Sequence, residues 1–340
     1  MVTVSVVIPS YNHGPYLAEA VSSVLTQSMT DLELIVVDDG STDNSLAVLA
    51  DFSDPRLHVI SQANQGAHAA INRGMAAATG RILSILNSDD AYEPDRLARL
   101  SAILDTHPEV GLVGSYIRVV NAEGQQLGVK HGFRDLEPWL LDHPERSFRA
   151  GTDLRAALLA ENYWATTSNF VFSRRWWEQV GPFRPLRYAH DWDFALRMAG
   201  LAELRLVAEP LVRYRVHANN TIRENRSAMV FEICWVLAVH LPPHLCSPWF
   251  AGLQAATGVQ QLMHSLYTYD CDRVLCVMLA TRLAERPDIA ERLLEPTNPE
   301  RLAYLRYIEE RLARRDGTAP ARGLRTVRRV ALRTRRLFGR

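Results

Sequence analysis

The sequence predicts an α/β protein, with a mostly parallel sheet in its first half and a helical region at its end. Three observations predict it. Through residue 110, short β-branched runs alternate with stretches whose apolar residues recur at helical spacing. The residues just past three of those runs are Pro, Ser, Tyr, Asn and Asp. After about residue 222 nearly every apolar pattern has the helical period.

The strands come first. Residues 2–8, 32–37, 57–60 and 82–86 are short β-branched runs, the pattern of strands buried on both faces. Between them Leu17, Val21, Val24 and Leu25 mark one helix and Leu46, Leu49 and Ala50 a second. A small-residue stretch, 67–78, closes on Gly80. Pro94 predicts the opening of another helix, with Leu97, Leu100 and Leu104 inward. Residues 111–120 and 125–129, around the turn 121–124, predict a hairpin. From 130 to 150 the pattern dissolves among Gly, Pro and charges, which predicts a loop or lid.

Order returns with a helix near 153–160, a strand near 168–173 and a short helix ended by Gly181-Pro182. A helix over 191–198 is stopped by Gly200, and two short strands follow, 204–208 and 211–216. Helices are then expected at 230–239, 258–266, 272–283 and 300–314. The expected division is therefore 1–222, with halves 1–110 and 111–222, then a helical region 223–316 and a tail 317–340.

Composition narrows the classes of function. In 340 residues, 47% hydrophobic against 22% charged excludes disorder and fibrous repeats. Lys plus Arg and Asp plus Glu are both 38, yet the last 21 residues hold Arg and no acid, so a mildly acidic body ends in a basic tail. The apolar run 230–241 is far short of the roughly 20 residues a membrane span needs. The N-terminus has no positive segment before its apolar stretch, so a cytoplasmic chain is expected. Cys234, Cys246, Cys271 and Cys276 lack C-x-x-C spacing, which favours reduced core thiols over zinc or disulfides.

In an open parallel sheet, ligands bind beyond the carboxyl ends of the strands. Those ends carry Pro9, Ser10, Tyr11 and Asn12; Asp38, Asp39, Gly40 and Ser41; and Asn87, Ser88, Asp89 and Asp90. Any one of these residues could be a plain helix cap. Together they crowd negative charge in one crevice, which a cation or a metal-bound phosphate would relieve.

The runs VSVVIPSYN at 4–12, VVDDGSTD at 36–43, LNSDD at 86–90, AHDWDFALRMAG at 189–200 and YRVH at 214–217 resemble the inverting family 2 glycosyltransferases of the GT-A, Rossmann-like fold. The resemblance covers about the first 220 residues. It implies transfer of a sugar from a nucleotide diphosphate to a hydroxyl of a glycan or lipid-linked glycan. Asp39 is then expected to accept from the donor base, with Pro9 and Tyr11 packed beside it; an acceptor-only carboxylate suits uridine or thymidine. Asp89 resembles the second acid of the D-x-D element that holds Mn or Mg on the diphosphate, with Asn87 in the place of the first acid and Ser88 between.

Ile71 stands where many relatives carry arginine. Asn72 and Arg73 beside it are the expected donor contacts, with Arg73 either replacing that arginine or a solvated helix residue. Asp191 is the expected general base, because an inverting displacement needs a carboxylate to take the acceptor proton. The alternatives are an N-cap role for Asp191, or Asp193 as the cap. His190 stands in place of the family's glutamate.

His217 matches a histidine that in some relatives reaches the metal, which makes it the expected second metal ligand; a satisfied polar residue at a strand end is the alternative. Among Trp164, Trp176, Trp177 and Trp192, Trp192 is the expected acceptor platform, with His190 beside it.

The tail alternates Leu324, Val327, Ala331 and Phe338 with arginines, as in a helix drawn to anionic lipid on the inner membrane face; a solvated tail is the alternative. No nucleic-acid site is expected, since the body has no basic patch with aromatics. The helical region is assigned to the acceptor site or a homo-oligomer contact. Other classes are a catalytically silent nucleotide-binding subunit, suggested by Asn87, Ile71 and His190, and a nucleotidyltransferase, which the loop SYNHG disfavours.

Overall fold

A computed structural model describes residues 2–131, 158, 162–218, 224–245, 279 and 283–315. The chain runs β1 (Val4–Ser10), α1 (Gly14–Leu25), β2 (Leu32–Asp38), α2 (Ser45–Ala50), β3 (Leu57–Ser61), α3 (Ala67–Ala77), β4 (Ile82–Ile85), β5 (Ala91–Tyr92), α4 (Arg96–Thr106), β6 (Val110–Val120) and β7 (Gln126–Lys130). After a 3-10 turn, Thr167–Asn169, come β8 (Val171–Ser173), α5 (Arg174–Val180), α6 (His190–Ala199), β9 (Glu203–Arg215), α7 (Arg226–Leu245), α8 (Ile289–Arg292) and α9 (Pro299–Arg315).

The strands form one sheet in the order β3-β2-β1-β4-β8-β6-β9-β5, with β7 paired to β6. The first four strands are parallel; β1, β2 and β4 are buried along their whole length as expected, whereas β3, at the sheet edge, is corrected to a largely exposed strand. Beyond β4 the sheet is mixed: β8 runs antiparallel to both β4 and β6, while β6 and β9 are parallel. The mostly parallel character is thus confined to the first half.

Local chemistry explains the elements. α1 buries Leu17, Ala20, Val21 and Val24 at helical spacing and has a proline in its first turn, where the missing N–H costs nothing. α3 lies close on β1 because Gly74 has no side chain: a Cβ there would stand 2.3 Å from a methyl of Val7. The hairpin β6–β7 turns at Gly124, whose φ of 84° favours glycine.

Three local expectations are corrected. The two strands expected after residue 203 are one strand, β9; its register against β6 shifts around Pro210, which a bulge accommodates without ending the ladder. The strand expected from 168 begins at Val171, because Ser168 and Asn169 are spent in the 3-10 turn. α4 begins at Arg96, two residues past Pro94.

The core has two clusters, one on each face of the sheet. One of them joins Val7, Phe172, Phe194 and Leu196 of the sheet domain to Phe231, Trp235, Leu293 and Ile308 of the later helices. Cys234 is a buried free thiol, as expected. Among the described residues no helix is long and apolar enough to cross a membrane. The expected loop 130–150 past His131, the helices near 153–160, 258–266 and 272–283 (apart from Leu158, Leu279 and Leu283), Cys246, Cys271, Cys276 and the tail 317–340 lie outside the described residues.

Candidate active site

The carboxyl ends of β1, β2 and β4 open on one side of the sheet, and their turns are laced together. Asn12 sits at φ 54° and accepts the Thr42 N–H on its side-chain oxygen at 2.8 Å, while its own N–H reaches Ser41 Oγ at 3.0 Å. The Gly14 N–H donates to Asp43 at 2.9 Å. Pro9 is buried inside β1, and Tyr11, 45% exposed, projects beside the opening.

Asp39 is buried and fixed. Its carboxylate accepts from Gln62 Nε2 at 2.7 Å, the Gln65 N–H at 2.9 Å and the Gly66 N–H at 2.8 Å, so it anchors the segment that enters α3. Three of its roughly four acceptor positions are in use, leaving about one for a ligand N–H. Arg73 is exposed and reaches Gln62. Asn72 braces the fold: its amide donates to the Phe183 carbonyl and accepts the Phe183 N–H, each at 2.8 Å. One N–H and one lone pair of the amide thus tie α3 to the approach to α6. Ile71 is wholly buried in the core.

Past β4, Asn87 has its amide between two threonine hydroxyls, donating to Thr166 at 2.9 Å and accepting from Thr167 at 2.8 Å. Asp90 is structural: it accepts from Ser168 Oγ at 2.6 Å and the Arg215 N–H at 2.9 Å. Burial, with Asp89 beside it, pushes its carboxyl well up from the usual range.

Asp89 meets two histidines. Its Oδ2 lies 3.0 Å from His217 Nε2, and one ligand atom each of His13, Asp89 and His217 falls within 4.8 Å of the others. His13 Nδ1 also touches Ser88 Oγ at 2.7 Å, and the ring of Tyr16 packs 5.1 Å from that of His217. Burial alone would raise the Asp89 carboxyl, but the hydrogen bond from His217 and the charges of His13 and His217 hold it below the ordinary range. Arg215 supports the site by donating to the Asp89 carbonyl at 3.0 Å. Sequence reasoning reached Asp89 and His217 and missed His13, whose only signal was its place in the first polar turn, SYNHG.

Asp191 lies in the first turn of α6, 7% exposed. It is no N-cap: that position is Ala189, with no side-chain capping bond. Instead its Oδ2 accepts from Asn162 Nδ2 at 2.8 Å and its Oδ1 from the Trp192 N–H at 2.7 Å, which fixes the carboxylate's orientation. His190 is half-buried beside it, with Nδ1 bonded to none of the described residues. Asp193 is not a cap either. It is fully buried and paired with Arg184 at 2.8 Å, Arg197 at 3.0 Å and His240 at 2.9 Å.

Trp192 is corrected. It is 2% exposed, part of the core, and donates its indole N–H to the Leu158 carbonyl at 2.7 Å, so it offers no face to a sugar. Trp164 is wholly buried over Gly114, and Trp176 and Trp177 pack against the core.

The sequence pattern of glycosyl transferase family 2 matches residues 5–181, more than half of the chain. This chain belongs to that family. It is a glycosyltransferase. An uncharacterised glycosyltransferase of Nostoc sp. is 31% identical over 66% of this chain and 68% of its own length. A chondroitin synthase of Escherichia coli is 32% identical over 53% of this chain, and the matched part is 27% of that longer protein. Solved structures share the fold. TarS of S. aureus, crystallised with UDP, superposes with a TM-score of 0.57 at 21% identity, covering 94% of this chain and 93% of that one. The mannosyltransferase PcManGT of Pyrobaculum calidifontis, in complex with GDP-Man and Mn2+, gives 0.51 at 21% identity, covering 90% and 85%. The GT-A class expected from the motifs is thus borne out, with helices following the sheet domain.

Proposed function

We propose that this glycosyltransferase takes a sugar from a UDP or dTDP donor and passes it, with inversion and with the help of a divalent metal, to a hydroxyl of a glycan or lipid-linked glycan. The observation that carries the proposal is the convergence of His13, Asp89 and His217 at the strand ends that also present Asp39 and Tyr11. TarS in its complex with UDP, and PcManGT in its complex with GDP-Man and Mn2+, are consistent with a nucleotide donor and a metal.

The donor set fits a metal. One carboxylate and two imidazoles can meet within a single coordination shell, and imidazole nitrogen favours Mn over Mg, which prefers oxygen. When bound, the metal would neutralise charge on the departing diphosphate. The remaining chemistry belongs to the chain. Asp39 offers its remaining acceptor position to the base imide, Tyr11 flanks it, and Asn87, steadied by Thr166 and Thr167, would offer its free amide N–H or lone pair to a ribose hydroxyl. Asp191, held by Asn162, takes the proton of the acceptor hydroxyl while that oxygen bonds to the anomeric carbon. The bond from that carbon to the diphosphate breaks with its electron pair, releasing the nucleoside diphosphate. The arginine tail completes the proposal by drawing the enzyme to anionic lipid at the cytoplasmic membrane face.

Thermal unfolding with UDP, dTDP, GDP and CMP, each with and without Mn2+, tests the donor site. Saturation at 100 times Kd adds about 2.7 kcal/mol, enough for a shift of several degrees. A shift with UDP or dTDP that needs Mn2+ is expected, and no shift with any nucleotide would sink the donor reading. For the base, Asp191→Asn should lower the transfer rate roughly 10²–10⁴-fold without weakening UDP binding. Full rate in that variant removes the assignment, and nucleotide binding with no turnover in the wild type would identify a silent subunit instead.

A further inference from the structure

Helix α7 carries an acid into an apolar face. Glu232 is 2% exposed and is flanked by Phe231, Ile233, Cys234 and Trp235, all buried. A carboxylate in such surroundings is costly unless donors converge on it. Three do, and all are backbone: Oε1 accepts the Arg187 N–H at 3.0 Å, and Oε2 accepts those of Tyr188 at 2.6 Å and Ala189 at 3.1 Å. Burial pushes the Glu232 carboxyl up, and the three amides draw it back.

Those amides are the last before α6, the helix that opens with His190 and Asp191. Ala189 is its N-cap residue and has no polar side chain to cap with, so Glu232 supplies from a distant element the negative charge that a helix N-terminus favours. About two turns further along α7, His240 meets Asp193 at 2.9 Å. α6 is therefore clamped by α7 just before and just after Asp191. The groups at Asp39 and at the His13, Asp89 and His217 cluster are held by other elements.

We infer that Glu232 is a positioning residue that sets the entry of α6 and so the placement of Asp191, which makes the helices after residue 222 part of the catalytic unit. The inference rests on the reading of Asp191 as the base. A displacement of about 1 Å at a reacting group can cost about 10²-fold in rate, so a brace at the root of this helix has kinetic weight.

The test uses the full chain and the variants Glu232→Gln and Glu232→Asp. Gln keeps the shape but turns one acceptor oxygen into a donor facing donors. Expected for Glu232→Gln are hydrogen exchange at amides 187–189 faster by about tenfold or more, Kd for UDP with Mn2+ within about twofold, and kcat down roughly 10–100-fold at unchanged donor KM. Asp, which keeps the charge, should recover part of the rate. Unchanged exchange, faster exchange at full kcat, or UDP affinity falling in proportion to kcat would each overturn the inference. Asp191→Asn measured in parallel separates this from failure of the base assignment, which would appear as full rate in that variant.

Discussion

Replacing Asp193 by asparagine removes one charge from a network that has almost no access to water. Asp193 itself is 0% exposed, and its partners Arg197, His240 and Arg184 have side chains 14%, 9% and 27% exposed. Burial alone would raise its carboxyl; the hydrogen bond from His240 and the charges of Arg197, His240 and Arg184 hold it far below the ordinary 3.8. Asp193→Asn leaves Arg184 and Arg197 without their counter-charge, and breaking a buried pair in this way costs about 3–5 kcal/mol. Arg184 is the most exposed and recovers part of its hydration, so the lower half of that range is expected. At about 2–4 °C per kcal/mol, the midpoint should fall by roughly 6–16 °C.

The sign of the pH dependence follows from the lowered carboxyl. Its stabilisation is fully present above the unfolded value of 3.8 and is lost as pH falls through the folded value. Thermal unfolding of both proteins from pH 7.5 downward is the assay. The gap between them should be constant at neutral pH and narrow below about pH 4. A loss under about 1 kcal/mol at neutral pH, or a gap that does not narrow in acid, would refute the reasoning.

Two further outcomes follow from the geometry. His13→Ala and His217→Ala should each weaken Mn2+ at least about tenfold, close to 1.4 kcal/mol, and titration calorimetry checks this; equal Mn2+ affinity in His13→Ala would remove that ligand. Gly80→Ala should destabilise by about 1–3 kcal/mol in urea unfolding, since its Cβ would stand 2.6 Å from the Ser5 backbone nitrogen, which cannot swing aside. UDP affinity in Gly80→Ala should be unchanged, because Gly80 lies at the opposite end of β4 from the site.

Much of the fold was legible in the chain. The runs at β1, β2 and β4 are buried along their whole length, and a short β-branched run bounded by Gly, Asp or Asn is a local signal. The joining of two expected strands into β9 was not legible, because Pro210 ends a strand by local rules and is tolerated here only through the shifted pairing with β6. Pro9, Tyr11, Asp39, Asn87, Asp89 and Asp191 could be read as site candidates because strand ends and a helix start are marked in the sequence itself. Asn72 and Trp192 could not be told from ligand contacts, since only the positions of Phe183 and Leu158 reveal that their polar atoms are already engaged.

By itself, then, the sequence determined the alternation of strands and helices, the crevice-facing turns and the family, all of which depend on neighbours a few residues away. Tertiary structure decided which polar groups meet. Asp89 and His217 are 128 residues apart in the chain and share a hydrogen bond only because β9 pairs with β5, which begins two residues past Asp89, while His13 joins the cluster from the turn after β1. Glu232 stands in the sequence simply as one acid within an apolar helix; its role comes from three amides on another segment. The physical reason is the same in each case: periodicity is set by the geometry of the local backbone, whereas a buried polar atom must find its partner wherever the packed chain supplies one.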